Sequence, residues 1–213
     1  MESLLVISRL YLLAIAYNFM MLAFLMWCYP ETFSFTLYPL SWLGKVTLDS
    51  GLSNTLTAVL FAGGNLFNMY LWKKILDELA KTNTGQKLAA KIFGNFILLG
   101  FPLMALPCDV FVILHSVGGG LLVGGLWAMT TWLLYYAREE LGRRNYLLLQ
   151  AILHSTALYC FYHFLVDSEL KGFSQRPLLL SIALGSGAGL NALLQTRYGI
   201  NLMQMPFFHS YKL

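Results

Sequence analysis

The sequence predicts an all-α fold: a polytopic integral membrane bundle of six transmembrane helices, with both the N- and C-termini in the cytoplasm. Of the 213 residues, 58% are hydrophobic and 11% are charged, whereas a soluble domain carries about 25% charged residues to wet its surface. Six apolar stretches are long enough to cross a membrane, which takes about 20 helical residues. The 14 lysines and arginines are also divided unequally between the two sides of this bundle.

The same composition excludes other classes of protein. So few charged side chains cannot cover a soluble globule, which excludes a soluble enzyme, and so apolar a chain is not disordered. Three cysteines are too few for a secreted disulfide scaffold. A net charge of +4, spread over short loops, does not form the clustered basic face of a nucleic-acid-binding protein.

The apolar stretches form one domain over residues 1–213. The predicted spans cover 4–29, 52–72, 88–106, 110–137, 146–166 and 177–195. Pro30 follows the first span, and proline cannot continue a helix. Asp49 and Ser50 are placed to cap the second helix by accepting its free amide protons, and Asp109 is placed to cap the fourth. Pro177 suits a helix start, where its missing N–H costs nothing.

The distribution of positive charge predicts the orientation. One side holds the N-terminus, the connections 73–91 and 138–144 and the C-terminal tail, with all lysines and arginines except three. Those three, Lys45, Lys171 and Arg176, lie on the other side. Because cytoplasmic loops are enriched in lysine and arginine, both termini are expected in the cytoplasm. The aromatic connection 30–50 is expected on the outer surface of the membrane or over the mouth of the bundle.

Small residues recur every four positions on two of the spans. The fourth span has Ser116, Gly120 and Gly124, and the sixth has Ser181, Gly185 and Gly189. At this spacing they form a flat stripe on which two helices can approach closely. The simpler interpretation is that these two spans pack on each other. The alternative is a face for a dimer or for a partner helix.

Ionisable groups inside a membrane are costly and mark candidate sites. Asp109, His115 and His163 fall at similar heights near the outer side, together with Asn54. Such a cluster can bind a metal, hold a lipid head group or act as an acid–base pair. The simpler interpretation is a pair of hydrogen-bonded interior histidines, because zinc requires three or four ligands. Haem or a chlorin is not expected, because the histidines are not paired on facing helices.

The three cysteines, Cys28, Cys108 and Cys160, all fall in the outer half of the predicted bundle. Cys28 and Cys108 lie at helix ends that face an oxidising side, so one interpretation is a disulfide between them. The simpler interpretation is that all three are buried apolar thiols.

Short motifs carry a family resemblance. They are Tyr38-Pro39-Leu40-Ser41-Trp42-Leu43-Gly44, Ser53-Asn54, Phe61-Ala62-Gly63-Gly64, Gly100-Phe101-Pro102, and Pro107-Cys108-Asp109 with His115. In these features and in span count the chain resembles the DUF998 group and its relatives in the Frag1/DRAM/Sfk1 superfamily. Members are linked to lipid remodelling, membrane sorting or modulation of autophagy, so the resemblance implies a lipid-proximal role. It carries over five lipid-binding positions: Ser41, Gly44, Asn54, Asp109 and His115.

A partial resemblance to the CREST membrane hydrolases implies a different role. Those enzymes use Asp, Ser and three His around zinc. Asp109, His115 and His163 supply part of that set, but the sixth span lacks the histidine pair that the family has on its last helix.

The sequence therefore predicts an integral membrane protein without an evident catalytic motif that binds lipid or partner transmembrane helices. One alternative is an accessory subunit of a larger membrane complex. Another is a metal-dependent intramembrane lipid hydrolase with Asp109, His115 and His163 as its site. A homo-oligomer is compatible with the small-residue stripes, and neither a nucleic-acid partner nor a resident cofactor is predicted.

Overall fold

The structure is a computed structural model that describes residues 2–81 and 84–202. These residues form helices and contain no strand, apart from a single bridge between Thr47 and Ser53. The helices are α1 (Glu2–Cys28), α2 (Thr55–Ala80), α3 (Thr84–Met104), α4 (Val112–Tyr136), the one-turn α5 (Arg138–Leu141), α6 (Arg143–Leu165) and α7 (Lys171–Tyr198). A 3-10 helix (Leu40–Gly44) precedes α2. The predicted all-helical class is confirmed.

Four of the described helices are both long enough and apolar enough to cross a membrane. They cover Ser3–Cys28, Lys87–Met104, Val112–Tyr136 and Lys171–Tyr198, which gives the chain the character of an integral membrane protein. The helices α2 and α6 are less apolar because amide and imidazole side chains interrupt them. These side chains are Asn65 and Asn68 in α2 and Gln150 and His154 in α6.

Several helices extend beyond the predicted apolar spans. The helix α2 continues to Ala80 and α6 begins at Arg143, because charged residues beyond the apolar stretch still complete the backbone hydrogen bonds. A further difference is in α7, which begins at Lys171 rather than at Pro177. Pro177 therefore lies inside the helix, where it removes the one bond its N–H would donate to the carbonyl of Phe173.

Contacts between helix ends give the directions of the helices: α1 and α2 run in opposite directions, whereas α4 and α7 run in the same direction. At one end of the bundle, the Thr57 hydroxyl of α2 donates to the carbonyl oxygen of Cys28, the last residue of α1, at 3.2 Å. At the other end, Arg197 of α7 donates to the Tyr136 hydroxyl oxygen at the end of α4, at 2.9 Å.

Residues 29–54, which we call the cap segment, cross the end of the bundle where α1 ends and α2 begins. We call this end of the bundle the cap end. Arg176 of α7 donates to the Tyr38 carbonyl oxygen at 2.6 Å. Gly172 lies so close to this segment that a Cβ there would be 2.2 Å from the Leu37 carbonyl oxygen. On its other side the cap segment is bound to the turn between α3 and α4 through Asp109. The cap segment thus joins the start of α7 to the α3–α4 turn.

Glycines allow the close contact between α3 and α4. A Cβ on Gly100 would be 2.6 Å from the Leu122 amide nitrogen, and one on Gly118 would be 2.7 Å from the Met104 amide nitrogen. Backbone atoms cannot give way as a side chain can, so both positions require glycine.

The small-residue stripe of α7 lies against two other helices. A Cβ on Gly185 would be 2.9 Å from the Thr130 Cγ2 atom of α4. Gly189 lies against Leu133 of the same helix, and Ser181 shares a hydrogen bond of 2.7 Å with Thr156 of α6.

The predicted partner stripe on α4, formed by Ser116, Gly120 and Gly124, does not meet α7. All three residues are exposed, and no described atom lies within 4 Å of a Cβ placed on Gly120 or Gly124. The two spans do pack on each other as α4 and α7, but α4 meets α7 through Thr130 and Leu133 and not through this stripe. A dimer or partner-helix face on this stripe stays a prediction.

Polar side chains also join the helices. Asn18 of α1 and Asn68 of α2 exchange two amide hydrogen bonds of 2.9 and 3.0 Å. Thr130 of α4 and Ser186 of α7 share one of 2.8 Å, and both are buried. Each pair satisfies polar groups that would cost several kcal/mol if they were left without a hydrogen bond inside a membrane.

Candidate functional site

The structure brings five predicted site residues together at the cap end: Ser41, Gly44, Asn54, Asp109 and His115. Through their contacts the cap segment is held to α2 and to the α3–α4 turn.

Asp109 binds the backbone of the cap segment. Its carboxylate oxygens accept hydrogen bonds from the Val46 amide at 3.0 and 3.1 Å and from the Thr47 amide at 2.9 Å. Partial burial acts to raise the pKa of Asp109, but these amides and the nearby Lys45 ammonium outweigh it and hold the pKa below its usual value. The predicted cap on α4 is not observed, because no side chain caps that helix and the carboxylate is engaged elsewhere.

The predicted cap on α2 is also replaced by another contact. Asp49 pairs with Lys45 at 2.7 Å, and Asn54 occupies the capping position of α2 without a side-chain bond to the helix amides.

Asn54 holds the turn through which the cap segment enters α2. Its side-chain amide donates to the carbonyl oxygens of Lys45 at 2.8 Å and Leu43 at 3.4 Å. Its backbone amide donates to the Val46 carbonyl oxygen at 2.7 Å. The side chain is buried, and its Oδ1 atom has no hydrogen-bond partner among the described residues.

Gly44 and His115 both lie against Phe61. A Cβ on Gly44 would be 2.7 Å from the Phe61 Cδ1 atom, and the His115 ring stacks on Phe61 with centroids 6.5 Å apart. The His115 Nδ1 atom lies 2.7 Å from the Leu106 carbonyl oxygen. Because a carbonyl only accepts, Nδ1 carries the proton and Nε2 is an acceptor, with no partner in the described part of the chain.

Ser41 contributes its backbone to the cluster. The Cys108 thiol donates to the Ser41 carbonyl oxygen at 3.2 Å. Burial, with the adjacent Asp109 carboxylate, raises the pKa of Cys108 to about 11. Cys28, Cys108 and Cys160 are all free thiols, so the disulfide considered for Cys28 and Cys108 is not formed.

His163 lies in the last turn of α6, in surroundings of its own. It is buried between Tyr159 and Tyr162, whose rings stand edge-on to it at 4.5 and 5.3 Å. Within residues 2–81 and 84–202, no three histidine, cysteine, aspartate or glutamate side chains form a group that could hold a metal. Asp109, His115 and His163 therefore do not assemble the metal site considered from the sequence.

The contacts at the cap end hold the cap segment to the helix bundle. Backbone amides occupy the Asp109 carboxylate, and a backbone carbonyl occupies the proton-bearing nitrogen of His115. The hydrogen bonds of the cluster therefore bind the chain to itself, and His115 Nε2 and Asn54 Oδ1 are its buried side-chain atoms without a partner in the described residues.

A groove between α1 and α2, which the sequence did not predict, has different chemistry. Its volume is about 760 Å³. Its apolar lining residues are Val6, Leu10, Leu13, Phe67 and Leu71, and its polar ones are Tyr70, Lys74, Asp77, Glu78 and Lys81. The α2 residues that line the groove recur every three or four positions from Phe67 to Lys81, so they share one face of the helix. This face changes from apolar to charged along the helix, and that pattern can be seen in the sequence.

Two cations lie at the charged end of this groove. Lys81 pairs with Glu78, whereas the Lys74 ammonium lies over the Tyr70 ring at 5.4 Å from its centroid. The ammonium group of Lys74 therefore lies next to the apolar side chains that line the groove. Asp77 lies about one turn further along α2.

Comparison with known proteins finds no matching family model, no similar curated protein and no similar solved structure.

Proposed function

We propose that this chain is a six-span integral membrane protein that binds a phospholipid in the groove between α1 and α2. One observation carries the proposal: a groove of lipid-tail dimensions that is apolar at one end and carries Lys74 in its charged part. Acyl chains lie along Leu10, Leu13 and Phe67, and the phosphate lies at the Lys74 ammonium. The groove is favoured over the cap-end cluster because backbone groups of the chain already engage the Asp109 carboxylate and the proton-bearing nitrogen of His115.

Six spans are supported by the lengths of the two less apolar helices. The helices α2 and α6 have 26 and 23 residues, which at about 1.5 Å per residue exceeds the roughly 30 Å of a hydrocarbon core. Asn68 of α2 is paired with Asn18, and the Asn65 side chain donates to the Phe61 carbonyl oxygen at 2.9 Å. These amides lower the hydropathy of α2 without leaving unpaired donors in the membrane.

We propose that this lipid lies in the cytoplasmic leaflet. Lys74 lies near the end of α2 that is opposite the cap end, among the connections that carry most of the lysines and arginines. Cytoplasmic loops are the positively charged ones. The mixed charges at this end, Lys74 with Asp77, suit a head group that holds both a phosphate and an amine.

Native mass spectrometry of the full chain, released from mild detergent with added phosphatidylethanolamine, tests the proposal. We expect one retained lipid per chain, and a several-fold loss of retention in Lys74→Gln. Lys73→Gln is the matched control, because Lys73 is the adjacent exposed lysine and does not line the groove. Equal retention by the two variants would contradict the assignment of the phosphate to Lys74.

Leu13→Trp tests the apolar wall by filling it. It should reduce retention even at saturating lipid, because the bulky ring occupies the space of an acyl chain. Retention of phosphatidylglycerol in preference to phosphatidylethanolamine would keep the groove as a lipid site but remove the role given to Asp77.

A further inference from the structure

A second groove lies between α4 and α6 and differs from the first in its chemistry. Its volume is about 590 Å³, which is within the roughly 300–1,000 Å³ of small-molecule sites. Half of its lining residues are aromatic, among them Trp127, Trp132 and Tyr146, and none of the lining residues is Lys, Arg, Asp or Glu. An ionic head group therefore finds no counter-charge there.

Three side chains that line this groove hold a buried polar atom without a hydrogen-bond partner in the described part of the chain. These atoms are Trp127 Nε1, Thr131 Oγ1 and Gln150 Oε1. The other end of the Gln150 amide is fixed, because its Nε2 donates to the Thr131 carbonyl oxygen at 3.1 Å. An unpaired polar group in the interior of a membrane costs on the order of several kcal/mol. The clustering of these three unpaired atoms around one groove therefore indicates a missing partner.

The donor and acceptor roles of these atoms restrict that partner. The indole N–H of Trp127 only donates, the Thr131 hydroxyl can donate or accept, and the Gln150 oxygen only accepts. His154 stands edge-on to the Trp127 ring at 5.5 Å and adds a ring nitrogen to the same groove. The arrangement fits an uncharged molecule with oxygen on a ring, stacked among aromatic faces.

We propose that the α4–α6 groove binds a neutral lipid with a flat, oxygen-bearing ring and a hydrocarbon tail, of the chemical class of the isoprenoid quinones. Ring oxygens accept from Trp127 and Thr131, a ring hydroxyl of the reduced form donates to the Gln150 oxygen, and the tail leaves along α6 into the membrane. A planar ring slides between aromatic side chains more readily than the puckered rings of a sterol. This site is separate from the phospholipid groove and does not depend on it.

Binding of decylubiquinone to the full chain in phosphatidylcholine nanodiscs tests this site. Native mass spectrometry of the released chain is expected to show one decylubiquinone adduct in the wild type. Thr131→Val, which removes the hydroxyl with little change of shape, should weaken binding about fivefold, the equivalent of one hydrogen bond. Thr196→Val, the same change at an exposed position on α7, is the control and should leave binding unchanged.

A second variant blocks the groove itself. Ala128 lines it, so Ala128→Phe should abolish the adduct while the midpoint of thermal unfolding in detergent stays near the wild-type value. That midpoint shows that the variant is folded and is independent of any lipid bound in the first groove. If Ala128→Phe does not fold, the comparison of Thr131→Val with Thr196→Val decides.

Three results would overturn the proposal. They are the absence of a decylubiquinone adduct in the wild type, equal binding by Thr131→Val and Thr196→Val, and displacement of decylubiquinone by cholesterol at equal concentration. The last result would assign the groove to a sterol.

Discussion

Glycines of α4 differ in the space that lies in front of them, although they are close neighbours in the sequence. At Gly118 an added methyl group would be 2.7 Å from the Met104 amide nitrogen, whereas at Gly120 no described atom lies within 4 Å. We therefore expect Gly118→Ala to destabilise the protein by about 1–3 kcal/mol through overpacking. Gly120→Ala should leave stability unchanged or slightly higher, because alanine favours the helix.

The midpoint of thermal unfolding in detergent measures this difference. The two variants add the same methyl group to the same helix, so a difference between them reports the contact with α3. Equal midpoints would mean that α3 is not packed on Gly118 as described.

Asp109 should control how firmly the cap segment is held. Asp109→Asn keeps the size of the side chain but replaces one accepting oxygen by a donor that faces backbone amides, so we expect a loss of about 1 kcal/mol at pH 7. The pKa of Asp109 is lowered in the folded protein. Its stabilisation is therefore fully present above the unfolded pKa, about 3.9, and is lost as the pH falls through the lower folded value.

Thermal unfolding of the wild type and of Asp109→Asn from pH 7 downward tests both statements. The gap between the two should be widest at pH 7 and should close below about pH 4. Asp49→Asn is the control, since Asp49 is exposed and pairs with Lys45 alone, and such surface pairs contribute roughly 0–1 kcal/mol. A gap that widens towards acid pH would contradict the assigned role of the carboxylate.

At the scale of the elements, single polar pairs fix how neighbouring helices sit. Thr130 and Ser186 share a buried hydrogen bond between α4 and α7. A double-mutant cycle of Thr130→Val and Ser186→Ala should give a coupling of about 0.6 kcal/mol, with an upper bound near 1.7. Unfolding in detergent measures it, with Thr130→Val and Ser181→Ala as the control cycle, because Ser181 bonds Thr156 instead.

The existence of the helices was readable from the sequence, whereas their contacts were not. Apolar length alone predicts α1, α3, α4 and α7, because the membrane sets that length. The stripe of Gly120 and Gly124 follows the same spacing rule as Gly185 and Gly189, yet only the second pair meets another helix. Spacing shows that a helix has a small-residue face, but the rotation of the helix in the bundle decides what that face meets.

The cap-end cluster shows the same division for the candidate site. The sequence grouped Asp109, His115, His163 and Asn54 by their depth in the membrane. The structure places three of them together but leaves His163 in surroundings of its own between Tyr159 and Tyr162. The sequence could not show that Asp109 would bind the Val46 and Thr47 amides, because backbone donors of a loop leave no pattern in the residue types. The two grooves were missed for a related reason, since each is lined by more than one helix.

For the whole molecule, the direction of the helices decides the topology. The cap end gathers the end of α1, the α3–α4 turn and the start of α7. If α1, α3, α4 and α7 all cross the membrane, the chain must return through it between α1 and α3, and again between α4 and α7. The helices α2 and α6 are the only described elements between those pairs that are long enough to do so.

Labelling of single cysteines in intact cells tests this topology. In a background where Cys28, Cys108 and Cys160 are replaced, cysteines at Glu31 and Glu169 should react with a membrane-impermeant maleimide. Cysteines at Lys87 and Glu139 should react only after the membrane is opened. All four positions are exposed, so a difference in labelling reports the side of the membrane.

Each pair of positions tests one of the two less apolar helices. If α2 did not cross, positions 31 and 87 would be labelled from the same side, and if α6 did not cross, positions 139 and 169 would be. Labelling of Lys87 and Glu139 from outside, with Glu31 and Glu169 protected, would keep six spans but reverse their orientation. That outcome would also move the Lys74 end of the lipid groove to the outer leaflet, against the charge distribution that places it in the cytoplasmic one.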